Sequence, residues 1–201
     1  MIKKLFILTI MTLATTLLAA DNWTLEKNME GILIYNRPYE TSKIKEYKGE
    51  VVLNTSVDKL VSYFKNTANH DKFLYKCKAG SVKMQKKVSE NDFYTYMIIE
   101  VPWPATNRDI ITRYQIGAAD KTGTVTIDIT GVKDLIPAVS GLVRVPEMKG
   151  YWKFVPQGNG QTKVIHQAYS KPGGNVPDAL ANNASVDAPF FMLKKLKEIF
   201  K

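Results

Sequence analysis

The chain has 201 residues, 45% of them hydrophobic, and carries 28 Lys and Arg against 19 Asp and Glu, a formal net charge of +9. Its single cysteine, Cys77, excludes an internal disulfide, and only two histidines, His70 and His166, leave little material for a metal cluster or a base-activated thiol. Cys77 is therefore read as a small, partly buried apolar residue.

MIKK opens the chain with positive charge, residues 5–18 form an apolar run, and Ala19-Ala20 supplies small residues, which is the layout of a secretory signal peptide. The run is too short for a bilayer span, which takes about 20 apolar residues. The expected division is a signal peptide over residues 1–20 and one domain over 21–201, of a size that buries about 70% of its unfolded surface. Losing Lys3 and Lys4 leaves a charge of +7. A periplasmic or secreted location sets nucleic acid aside as a partner. An anionic membrane surface, touched transiently, is the better match, since each basic residue near it contributes about 1 kcal/mol.

Residues 31–39 (GILIYNRPY) and 44–54 (IKEYKGEVVLN) are rich in β-branched and aromatic residues and predict a strand pair. Thr55 and Asp58 have capping-box spacing ahead of Leu60, Val61 and Phe64, so a helix runs to about Asn66, with a broken helical stretch over 71–75. From 81 to 170, strand follows strand across short turns: SVKMQKKVS, DFYTYMIIEV, RDIITRYQIG, GTVTIDITGV, LVRVPEMKGYWKFVP and TKVIHQAYS. The apolar connection KDLIPAVSG reads as a surface or gating loop. A last helix begins at Pro177 and runs to the C-terminus, with Val186, Phe190, Leu193 and Phe200 on one face and Pro189 kinking it. The fold class is α+β, a strongly curved antiparallel sheet wrapped around a long C-terminal helix, which buries that helix's apolar stripe.

VPWPATNRDIITRY sets a rigid Pro-Trp-Pro corner beside an Arg-Asp pair at a strand start. Strand alternation puts Arg108, Ile110, Thr112, Tyr114 and Ile116 on the inward face, with Asp109, Arg113 and Gln115 facing solvent. An inward guanidinium needs a partner. A hairpin register setting Glu100 opposite Arg108 supplies one. Inward Tyr94, Tyr96, Ile98, Tyr114, Ile127, Ile129 and His166 then make a largely apolar lining with a few polar tips, suited to an amphipathic guest.

With these residues in place the chain resembles the START family, the steroidogenic acute regulatory related lipid transfer domains, over nearly the whole of 21–201. The resemblance rests on Gly31-Ile32 before a strand, Pro102-Trp103-Pro104 with Arg108-Asp109, Gly150-Tyr151-Trp152, and Pro172-Gly173-Gly174 with Val176-Pro177. It implies a helix-grip fold enclosing one lipid, with Trp103 on a gate at the tunnel mouth and Arg108 a polar group at depth. Tyr114 stands where some sterol-binding relatives carry a second arginine.

The ligand-contacting residues expected on this basis are Tyr96, Ile98, Glu100, Trp103, Arg108, Ile110, Tyr114, Ile127, His166 and Phe190. The function expected is non-enzymatic carriage of a lipid or similar apolar molecule by a monomer, with no cofactor. Entry requires movement of residues 176–201 and of the loops at Trp103 and 136–142, and Lys194, Lys195, Lys197 and Lys201 are placed to meet anionic headgroups. The alternatives are a helix-grip cyclase or aromatase using Tyr96, Tyr114, His166 and Glu100 as acid and base, or a lipid sensor.

Overall fold

The computed structural model describes residues 22–201; the segment read as a signal peptide lies outside them. Ten strands make one sheet: β1 (Thr24–Met29), β2 (Ile32–Tyr39), β3 (Ser42–Leu53), β4 (Lys83–Ser89), β5 (Asp92–Ile99), β6 (Arg108–Ile116), β7 (Val125–Gly131), β8 (Val143–Arg144), β9 (Glu147–Gly158) and β10 (Gln161–Lys171). Their order is β1-β2-β3-β10-β9-β7-β6-β5-β4, antiparallel throughout, with the short β8 running parallel to the start of β6. Helices α1 (Val57–Lys65), α2 (His70–Phe73) and α3 (Asp178–Ile199) pack on its concave side. This is the helix-grip arrangement expected from the sequence.

Two local expectations shift. The cap of α1 is Ser56, whose Oγ accepts from the Lys59 N–H, rather than Thr55. β1 escaped the sequence reading because it is an edge strand, mostly exposed, without clean alternation. It turns into β2 through Glu30 and Gly31, both at positive φ (56° and 73°), a conformation that glycine adopts without steric cost.

α3 is one helix of 22 residues, and its two halves are held differently. The C-terminal half buries Met192, Leu193 and Leu196 in the same core as Leu60, Phe64, Phe154 and Val164. Its approach to the sheet is close: a Cβ on Gly49 of β3 would lie 2.7 Å from Leu193 Cδ1 and 3.3 Å from Pro189 Cβ. The N-terminal half is fastened by polar bonds instead. Asn182 Nδ2 donates to the Lys43 carbonyl (3.0 Å) while Asn182 Oδ1 accepts from the Lys45 N–H (2.9 Å). Asn36 Nδ2 donates to Ser185 Oγ (2.8 Å), and that hydroxyl donates to the Asn182 carbonyl (2.7 Å).

Asn182 can reach the backbone of β3 because the sheet divides there. The β3–β10 ladder ends at Tyr47 opposite Ala168, after which β3 pairs only with β2 and β10 only with β9. The amide of Asn182 therefore takes the place of a missing neighbouring strand, satisfying groups that would otherwise be unpaired. Tyr169 also spans the split, stacking on Tyr39 at 3.9 Å between ring centroids and donating to Ser42 Oγ at 3.0 Å.

Candidate functional site

Between the N-terminal half of α3 and the concave face of β5, β6, β7, β9 and β10 lies a cavity of about 230 Å³. Its floor is Met97 and Ile99 of β5, Ile110, Thr112 and Tyr114 of β6, Ile129 of β7, Met148 and Trp152 of β9, and His166, Ala168 and Ser170 of β10. Its roof is Ala181, Ala184, Ser185, Ala188 and Met192 of α3, and Leu74 and Tyr75 close one side. The space exists because the roof is built from small side chains: three alanines sit where leucines would fill it. Lys45 is the exposed member of the lining, so the cavity reaches solvent where β3 and β10 part.

The polar groups inside are few, and those around His166 are spoken for. His166 Nδ1 donates to the Tyr151 carbonyl (3.0 Å), which leaves Nε2 to accept from the Tyr47 hydroxyl (2.8 Å). The imidazole stacks on Trp152 at 3.7 Å and 2° between ring planes. Burial pushes its pKa down to about 4 and pushes the Tyr47 and Tyr114 hydroxyls up. At neutral pH the pair is a neutral acceptor and a neutral donor, a scaffold for a polar contact rather than a proton exchanger. His70 lies outside the lining, its Nε2 donating to the Phe64 carbonyl (2.8 Å). Burial raises the Cys77 pKa, which disfavours its thiolate. Among the described residues no group of three or more His, Cys, Asp and Glu has the geometry to hold a metal ion.

Of the ten residues expected at the site, Ile110, Tyr114 and His166 line the cavity. Ile127 is fully buried in the core beside it. The inward face of β6 is as read from alternation, but β5 is set one residue differently, with Ile99 opposite Arg108 and Met97 opposite Ile110. Tyr94, Tyr96 and Ile98 accordingly take the outer face, and Met97 and Ile99 take their place inside. The cause is a third segment. β5 leaves the ladder after Ile99 because residues 76–78 capture its end, the Glu100 N–H donating to the Lys76 carbonyl and the Lys78 N–H to the Ile98 carbonyl, both at 2.9 Å.

Glu100 is exposed and makes no pair with Arg108. Arg108, 3% exposed, donates instead to three carbonyls: Thr106, Pro172 (3.4 Å from Nε) and Gly173 (3.0 Å from Nη2). Its neighbour Asp109, expected to face solvent, is 1% exposed and accepts two bonds from Arg144. Arg144 also holds the carbonyls of Ile136 and Pro137, so residues 133–141 are strapped over the outer face of β6, and none of them lines the cavity.

Trp103 is 92% exposed and outside the lining. Phe190 packs at the helix margin under the Lys27 ammonium, 4.0 Å from its ring centroid. Large apolar residues mark the packed face of α3, whereas the cavity needs small ones, so apolar spacing pointed to the wrong side. Lys194 and Lys197 are tied to Glu30 and Lys195 to Glu198, on the packed half of α3 and away from the opening.

No family model matches the chain. It is 33% identical over 180 residues to an uncharacterised protein of Pseudomonas aeruginosa, covering 89% of this chain and 86% of that one. A solved STAR-related lipid transfer protein of Xanthomonas axonopodis superposes with a TM-score of 0.82 at 31% identity, over 90% of this chain and 99% of that one. The chain belongs to the START family. The rat phosphatidylcholine transfer protein is a more distant relative, 24% identical over 191 residues, or 90% of this chain and 85% of that protein. For this START domain the shared fold, with a mostly apolar cavity under its last helix, supports binding of a hydrophobic ligand.

Proposed function

We propose that this START domain carries a lipid or similar hydrophobic molecule under α3, without chemistry, outside the cytoplasm. The observation that carries this reading is the cavity roofed by Ala181, Ala184 and Ala188. An acyl chain crossing water exposes about 0.8 kcal/mol per methylene, so about 14 carbons meet a barrier near 11 kcal/mol. A dry cavity removes that exposure. At about 230 Å³ it lies below the about 300–1,000 Å³ of ordinary ligand sites, so a guest larger than one chain requires α3 to lift.

Absence of catalysis is supported by His166 and Tyr47, whose pKa values are driven apart from neutrality. An extracytoplasmic location is supported by the basic, apolar and small-residue run of residues 1–20. A monomer touching a membrane transiently is the simplest working form, and Lys171 stands by the sheet split to meet anionic headgroups, beside Lys43 and Lys45, which are paired with Asp178 and Glu26.

The test is solvent extraction of protein purified from the extracytoplasmic fraction of its own host, followed by mass spectrometry, together with transfer of a fluorescent phospholipid between vesicles. A stoichiometric lipid and accelerated transfer are expected. Turnover of a polyketide substrate in place of transfer would establish the cyclase reading, and retention in the cytoplasmic fraction would remove the location.

A further inference from the structure

The sequence has four arginines, and three of them have carboxylate partners: Arg37 with Glu46, Arg113 with Asp92, and Arg144 with Asp109. Arg108 is the exception. Among the described residues no carboxylate lies within ion-pair distance of it, although it is 3% exposed. Its three carbonyl partners satisfy hydrogens but leave the charge uncompensated, an arrangement that buried cations avoid unless something else neutralises them.

Arg108 is not itself in the cavity lining, but its neighbours are. Ile99, directly across the ladder from Arg108, lines the cavity; so does Ile110, two residues along on the same face; and so does Pro172, whose carbonyl accepts from Nε. The guanidinium therefore lies immediately beyond one end of the cavity, under the 172–174 connection, where a Cβ on Gly174 would come within 3.4 Å of Nη2.

We propose that Arg108 reads the headgroup of the ligand, and that the ligand is an amphiphile with an anionic head, a phosphate or carboxylate, held at the Arg108 end with its alkyl part under α3. The inference rests on the carrier reading above and adds to it the ligand's charge and orientation. Guanidinium bonds to an anion are charge-assisted and stronger than bonds to neutral carbonyls, so an arriving head displaces Pro172 and Gly173. That frees the connection leading into α3, linking recognition of the head to movement of the roof.

The experiment is calorimetric titration of the full chain with dodecyl phosphate, dodecanol and inorganic phosphate, repeated on Arg108→Gln and Lys45→Gln. In the wild type, dodecyl phosphate should bind about tenfold or more tightly than dodecanol. Arg108→Gln should abolish that preference, dodecyl phosphate then binding no more tightly than dodecanol, and any dodecanol binding that it keeps shows that the variant is folded. If the variant binds neither, Lys45→Gln decides: a preference kept there supports Arg108, and a preference lost there overturns the inference.

Equal wild-type affinities for the two amphiphiles overturn the inference and leave the carrier reading standing. Binding of neither by the wild type overturns both. A preference that survives Arg108→Gln but disappears in Lys45→Gln assigns the head to the cavity opening and overturns the inference. Inorganic phosphate competing as well as dodecyl phosphate makes the site one for a free anion and overturns the amphiphile.

Discussion

Asp109 and Arg144 meet through two hydrogen bonds, of 3.0 and 2.9 Å, on the outer face of β6, while Arg108, one residue away, points to the inner face and meets only carbonyls. The Arg-Asp dipeptide is thus two separate devices set back to back. Asp109→Ala strands the Arg144 guanidinium, whose side chain is 13% exposed, and should cost about 3–5 kcal/mol in urea unfolding. Arg144→Leu added to it should restore part of that. A single-variant loss under about 1 kcal/mol would show the pair to be solvated.

Filling the cavity separates binding from folding. Ala184→Leu and Ala188→Leu each add bulk to the roof, and each should lower affinity for dodecanol about tenfold or more with a stability change of about 1 kcal/mol or less. Calorimetry and urea unfolding on the same samples check this. Unchanged dodecanol binding in both variants would place the guest elsewhere.

The polar fastening of α3 predicts local opening. Asn182→Ala removes two bonds to β3 and should cost about 1–2 kcal/mol. Hydrogen exchange should quicken over residues 178–188 and stay slow over 190–199, because Pro189 interrupts the helix ladder between them and the second half is packed in the core. Uniform loss of protection along α3 would contradict a two-part helix.

The pH dependence follows from His166, held near 4 by burial against an ordinary value of 6.5. Between pH 6.5 and about 4 the unfolded chain takes up a proton there that the folded chain refuses. Stability is therefore full above pH 6.5, falls as pH drops through that window, and levels off below it. The difference corresponds to about 3 kcal/mol. His70, also buried and pushed down, acts in the same direction. His166→Phe should flatten the profile measured by urea unfolding at pH 7 and pH 4.5, and an unaltered slope would trace the pH response to other groups.

Gly49 tests the seat of α3. Gly49→Val pushes a branched side chain against Leu193 and Pro189 and should destabilise by about 1–3 kcal/mol, read from the urea midpoint. A neutral result would mean that α3 slides freely on β3.

Several features were legible in the chain itself. Alternation along β6 put Ile110, Thr112 and Tyr114 on the inner face, and turn residues marked most of the hairpins. These patterns are local: each depends on residues a few positions apart, whose preferences the backbone period reads directly. β1 and the Ser56 cap were missed for equally local reasons, an irregular pattern and two competing cap residues.

What the sequence by itself determined is therefore the kind and order of the elements and the inward side of β6. Tertiary structure alone decided the β5–β6 register, because residues 76–78, remote from the hairpin turn, capture the end of β5. It also decided the partners of Arg108, three carbonyls on two loops, two of them 64 and 65 residues from it along the chain, and the face of α3 that looks into the cavity. Periodic apolar residues announce where matter packs. A cavity is where it does not, and small side chains such as Ala184 and Ala188 acquire that meaning only once the opposite wall is in place.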